Sequence, residues 1–105
     1  MQDTPHLTVL GGGSWATALA KLLLGNLSRI SWYMRRDDRI EDFLRLHHNP
    51  AYLTDVIFDT GRIDFYSDIN AACEGADIIL LATPSPYFKS HVDKLTADIS
   101  GKTIV

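Results

Sequence analysis

The chain of 105 residues holds a single cysteine, Cys73, which excludes an internal disulfide and fits a reducing compartment. It lacks a basic excess: 10 Lys and Arg stand against 13 Asp and Glu, a net charge of −3. A nucleic-acid partner therefore has no electrostatic footprint. No apolar run approaches the ~20 residues needed to span a bilayer. The start, MQDTPHLT, has neither the basic residues nor the apolar core of a signal peptide. These absences lead to the expectation of a cytoplasmic protein. Repeats, low-complexity segments and an internal linker are missing as well. The chain reads as one domain, long enough for a hydrophobic core and short for a complete two-substrate enzyme.

Three of the seven glycines, Gly11, Gly12 and Gly13, stand side by side in TVLGGGSWA. Before them, HLTVL (6–10) has the composition of a short buried strand. After them the period changes: Ala18, Leu19, Leu22 and Leu23 follow helical spacing, with Ala16 and Ala20 small enough for the helix to sit close to a sheet. Gly25-Asn26 is the expected stop, both residues tolerating a left-handed C-terminus. RISWYM (29–34) returns to strand, with Trp32 or Tyr33 facing the core. A helix from Arg39 to His47 follows, capped by Asp37 or Asp38, with Ile40, Phe43 and Leu44 inward. Residues 48–62 are irregular, with Pro50 and Gly61 as breakers. IDFY (63–66) is a strand, and Asp68 caps a short helix that Gly75 ends. DIILLAT (77–83) reads as a parallel strand covered on both faces. Ser85-Pro86 opens a helix to about Ile99, and KTIV (102–105) begins a fifth strand.

This alternation predicts an α/β fold of Rossmann type: a parallel sheet with helices on both faces and right-handed crossovers. A chain ending inside a strand reads as an incomplete dinucleotide-binding domain, the N-terminal part of something longer.

Gly11, Gly13 and Ala16 match G-x-G-x-x-G/A between a strand and a helix. Gly11 permits the tight turn, Gly13 lets a pyrophosphate reach the backbone, and Ala16 lets helix and strand pack closely. Free N–H groups around Ser14 and Trp15, with the helix dipole behind them, favour the phosphates. Ser14 is expected to cap and to contact phosphate. A flexible turn would also explain glycines, but the strand before and the helix after agree with the ligand reading. At the end of the second strand Arg35 and Arg36 come first, then Asp37 and Asp38. Arginine there suits the 2′-phosphate of NADP, whereas a carboxylate suits the hydroxyl of NAD. NADP(H) is the expected preference, with NAD(H) allowed; the alternative is a solvated turn with an aspartate cap.

With GGGSWATALA, WYMRR, HNPAYL and LLATPSPYF in order, the chain resembles the N-terminal domain of bacterial-type NAD(P)-dependent glycerol-3-phosphate dehydrogenase over essentially its whole length. The resemblance implies cofactor contacts from Gly11, Gly13, Ser14 and Trp15, with Arg35 and Arg36 near the adenosine end. It adds Tyr52 of NPAYL and Tyr87, an aromatic over the cofactor, though either could be a packing aromatic. Ala16 replaces the family's usual glycine, and Thr83 its usual valine before Pro84-Ser85. The implied reaction is reversible reduction of dihydroxyacetone phosphate to sn-glycerol 3-phosphate, which supplies phospholipid precursors. The family's substrate-handling residues lie beyond the fifth strand and in a helical C-terminal domain, neither present here. Lys102 precedes that strand and is not the family's lysine. These 105 residues are thus expected to carry no catalytic residue and to turn nothing over. A homodimer of the full-length protein is compatible with the resemblance.

Two other readings share the fold: a β-hydroxyacid or 6-phosphogluconate-type dehydrogenase, against which NPAYL speaks, and a non-catalytic nucleotide-sensing module. No metal is expected. His47 and His48, adjacent on a helix, diverge by about 100°, and His6 and His91 lack partners at ligand spacing. Cys73 is expected to pack as a small apolar residue.

Overall fold

The structure, a computed structural model, describes residues 6–82 and the strand Thr103–Ile104. Four short strands, β1 (Leu7–Leu10), β2 (Ile30–Tyr33), β3 (Ile63–Tyr66) and β4 (Ile78–Leu81), alternate with three helices. The helices are α1 (Ser14–Leu24), α2 (Asp37–Leu46) and α3 (Ile69–Glu74), and β5 is Thr103–Ile104. All pairings are parallel, in the order β3-β2-β1-β4-β5. The expected helix after Ser85 lies outside the described residues.

A parallel sheet must be covered on both faces, and side chains alternate between them along each strand. Leu7 and Val9 of β1, with Ile30 and Trp32 of β2, enter one core with Ala16, Ala20 and Leu24 of α1, Phe43 of α2 and Phe58. Leu10, Tyr33 and Ile79 enter the other, against Ile69, Ala72 and Cys73 of α3. The buried Thr8 hydroxyl donates to the Ala72 carbonyl at 2.8 Å, tying α3 to that face. Both Trp32 and Tyr33 are buried, because each face of β2 has its own cover. The expectation of one core aromatic there was too small. Cys73 is fully buried, as expected.

Several local expectations are corrected. Leu22 is 68 % exposed and Leu44 45 %, whereas Ala16, Thr17, Ala20 and Leu24 form the buried stripe of α1. Close approach of α1 to the sheet requires its small residues inward, and that sets the helix's rotation. Gly25 is right-handed (φ −71°), and α1 ends instead through Gly25 N–H to Leu22 O and Leu27 N–H to Leu23 O. The α2 cap is Arg36, which has no side-chain cap bond, with Asp37 and Asp38 inside the first turn. There they complement the helix dipole. His47 is the left-handed C-cap (φ 63°), so His47 and His48 do not share a helix. Asp68 caps α3 as expected, its carboxylate accepting from Asn70 N–H.

Arg62 closes the C-terminal end of α1. Its guanidinium donates to the carbonyls of Leu24, Leu27 (2.6 Å) and Ser28 (2.9 Å). Those carbonyls have no helical donor of their own. Arg62→Met keeps the stem and removes the donors. It should cost about 1–3 kcal/mol in chemical denaturation, and an unchanged midpoint would show that water serves these carbonyls equally well.

Candidate functional site

In open α/β sheets ligands bind beyond the carboxyl ends of the strands, where the strand order reverses. Here the reversal falls between β1 and β4, and the chain leaves β1 directly into Gly11-Gly12-Gly13. Gly11 has φ 127°, a conformation closed to residues with a side chain. Its N–H donates to the Tyr33 carbonyl at 3.1 Å, continuing the β1–β2 ladder by one residue.

All three carbonyls of this turn are held by side chains. The buried Trp32 indole N–H donates to Gly11 O at 2.6 Å. The Asn49 amide donates to Gly12 O at 3.1 Å. The Thr17 hydroxyl donates to Gly13 O at 2.7 Å, joined by the Thr17 N–H at 3.0 Å. With the carbonyls engaged by the protein, the amides are left over. Among the described residues nothing accepts a hydrogen bond from the N–H groups of Gly12, Gly13, Ser14 or Trp15. Such orphan donors at a helix start form an anion site.

Among the described residues, the space over Gly13 is open as well. A Cβ built on Gly13 meets no atom of the described residues within 4 Å, so none of them fills the room this glycine leaves. Gly13 has φ −85°, which any residue adopts, and its lack of a side chain therefore answers to space and not to backbone conformation. A Cβ on Gly12 would lie 3.4 Å from Met34 Cγ, at the edge of ordinary contact. Gly13 is also the N-cap of α1 and makes no side-chain cap. Ser14 is the first helical residue, so the expectation that it caps is corrected. Ser14 and Trp15 are exposed, Trp15 by 66 %.

Arg35 and Arg36 follow β2, whose Tyr33 pairs with Leu10 immediately before the glycines. Both are exposed. Arg36 is already engaged: its Nε donates to Asp38 Oδ1 at 3.0 Å and its Nη2 to Asp38 Oδ2 at 2.6 Å. This hydrogen-bonded pair holds the Asp38 carboxyl below the usual carboxylate range and raises Arg36 above its own. Both charges are present at neutral pH.

Tyr52 is 43 % exposed, and its backbone N–H donates to Asn49 Oδ1 at 3.1 Å. The loop 49–52 is thereby attached to the glycine turn through one side chain, a link that sequence reading did not assign. Tyr87, Thr83 and His91 lie outside the described residues. No cluster of His, Cys, Asp or Glu able to hold a metal ion occurs among the described residues. No helix among them is long and apolar enough to cross a membrane.

A five-stranded parallel sheet of order 3-2-1-4-5, with bare amides over its switch point, defines a Rossmann-type nucleotide-binding domain. A family profile described as the NAD-dependent glycerol-3-phosphate dehydrogenase N-terminus matches residues 6–105. The chain belongs to that family. It is 36 % identical, over all 105 residues, to a glycerol-3-phosphate dehydrogenase of the NAD(P)+ type from Ectopseudomonas mendocina. It is 37 % identical over 100 residues, 94 % of the chain, to the enzyme of that name from Prosthecochloris aestuarii. The chain spans 31 % and 30 % of those two relatives' lengths. Among solved structures, glycerol-3-phosphate dehydrogenase from Coxiella burnetii superposes with a TM-score of 0.84 at 26 % identity. That likeness covers 96 % of this chain and 31 % of the other. The family match selects the glycerol-3-phosphate dehydrogenase reading over the β-hydroxyacid and nucleotide-sensing ones.

Proposed function

We propose that the chain is the cofactor-holding part of a cytoplasmic enzyme that interconverts dihydroxyacetone phosphate and sn-glycerol 3-phosphate, a source of phospholipid precursors. NADP(H) is its preferred cofactor and NAD(H) an accepted one. The observation that carries this reading is the glycine turn, with its carbonyls engaged by Trp32, Asn49 and Thr17 and, among the described residues, no acceptor for the N–H groups of Gly12 to Trp15. Those amides, from Gly12 to Trp15, would donate to the pyrophosphate, and the α1 dipole adds to the attraction. When bound, the nicotinamide supplies or takes up the hydride. The part of these residues is to bind and orient. The unfilled space above Gly13 admits the diphosphate, and Arg35 and Arg36 lie toward the ribose of the adenosine. Tyr52 and Tyr87 are proposed cofactor contacts on the strength of the family resemblance. Within these 105 residues none is assigned to proton transfer, and the chain alone is expected to bind without turnover.

The arginines make the cofactor preference testable. A 2′-phosphate must share Arg36 with Asp38, which already accepts two hydrogen bonds from it. Calorimetric titration with NADPH and NADH should show saturable binding of both, with NADPH tighter. Arg36→Glu should shift the ratio toward NADH by about tenfold or more. Asp38→Asn frees the guanidinium and should shift it toward NADPH by roughly two- to fivefold, the modest scale of an exposed ion pair. Unchanged ratios in both variants would remove Arg36 from the site, and no binding of either dinucleotide would overturn the reading.

A further inference from the structure

Asn49 is 1 % exposed and lies in an irregular loop, far in sequence from the residues it touches. Its Nδ2 donates to Gly12 O at 3.1 Å and to Thr17 Oγ1 at 3.0 Å, across 37 and 32 residues. Its Oδ1 accepts from Ala51 N–H at 2.9 Å and from Tyr52 N–H at 3.1 Å. The donor accounting admits one arrangement. The Thr17 hydroxyl spends its proton on Gly13 O, so toward Asn49 it can only accept. Reversing the amide would set Oδ1 against the Gly12 carbonyl and Nδ2 against two N–H donors.

A carboxylate of the same shape has no proton for Gly12 O, and a leucine has neither donor nor acceptor. The position therefore calls for an amide. One side chain holds the middle carbonyl of the glycine turn, donates to the Thr17 hydroxyl that holds the next carbonyl, and accepts from two N–H groups of the loop that carries Tyr52.

We infer that Asn49, acting through Gly12 and Thr17, is a positioning residue for dinucleotide binding: it holds the glycine turn in the rotation that presents its amides to the pyrophosphate. This rests on the proposed dinucleotide site. Asn49 itself does not touch the ligand; it governs the peptide planes that do. A released Gly12 carbonyl can rotate toward the phosphates, replacing a donor with a repelling acceptor. The expected defect is accordingly confined to the diphosphate and spares the ribose end near Arg35 and Arg36.

The test compares two ligands on the full chain. NADPH needs the glycine turn, whereas adenosine 2′-monophosphate, which has no 5′-phosphate and so no part of the diphosphate, needs only the end near the arginines. For Asn49→Asp and Asn49→Ala, NADPH should bind about tenfold or more weakly, with adenosine 2′-monophosphate within about twofold of the parent by the same scale. Thr17→Val and Thr17→Ser make the same comparison in a conservative pair, should the Asn49 variants fail to fold. Valine should reproduce the selective loss and serine, which keeps the hydroxyl, should restore NADPH binding. Variants that bind NADPH like the parent overturn the inference. So does a parallel loss of both ligands in step with a lowered melting temperature, which marks Asn49 as purely structural. A parent chain that binds neither ligand brings down the dinucleotide reading itself, and the inference with it.

Discussion

Trp32→Ala should lower the stability of the domain by about 3–5 kcal/mol, the cost of truncating a large buried aromatic. With total stabilities of about 5–15 kcal/mol for small domains, much of the protein would be unfolded. Trp32 is fully buried. Its ring lies 5.3 Å from Phe43, 5.7 Å from Phe58 and 5.6 Å from Phe65, centroid to centroid. These rings come from α2, the irregular loop and β3, so one side chain joins three elements on the α1 side of the sheet. Removing it leaves a cavity that three elements would have to shift to fill, and it orphans the Gly11 carbonyl. Trp32→Phe separates the two effects. It keeps most of the packing, loses the N–H donor, and should cost about 1–3 kcal/mol together with weakened dinucleotide binding. Chemical denaturation of both variants reads the stabilities. A Trp32→Ala midpoint equal to the parent's would mean that this aromatic cluster is not the core.

Gly13→Val should show the opposite pattern, with binding lost and stability largely kept. The backbone at Gly13 (φ −85°, ψ −170°) is extended and accepts a β-branched residue, and an added Cβ meets no atom of the described residues within 4 Å. Melting temperature should therefore fall by only a few degrees, the cost of a poorer N-cap residue. The side chain would instead occupy the space through which the diphosphate reaches the amides. A clash of about 1–3 kcal/mol corresponds to roughly 5- to 150-fold weaker binding. Gly11 is the control. Its φ of 127° makes Gly11→Val a backbone defect that lowers stability and binding together. If Gly13→Val bound NADPH as tightly as the parent, the ligand would not lie over this turn.

How much of this was legible in the sequence depends on whether the cause is local. The glycine fingerprint, the strand composition of LTVL and IILL, and the Asp68 cap are local, and each stands where expected. The rotation of α1 was legible in part: Ala16 and Ala20 lie buried, as their small size suggested, whereas periodicity could not tell exposed Leu22 from buried Leu24 in the apolar run SWATALAKLLL. The sheet chose, by admitting only small residues close to it. The start of α2 was misplaced: Arg36 stands at the N-cap without a side-chain cap bond, and Asp38, inside the first turn, pairs with the Arg36 guanidinium. Trp32 and Tyr33 were read as alternates, which holds for a strand with one wet face and fails for one covered twice. In the candidate site, the glycines and arginines were visible as types at a spacing. The side chains that hold the turn, Trp32, Thr17 and Asn49, were in plain view as residues. Their roles depend on contacts spanning up to 37 positions, which no local pattern encodes.

The most direct measurement of the central claim is an amide-resolved NMR titration of the chain with NADPH. The backbone N–H signals of Gly12, Gly13, Ser14 and Trp15 should show the largest shifts, saturating together, with those of α3 on the opposite face little changed. Saturable shifts that cluster elsewhere while those four signals stay still would contradict it.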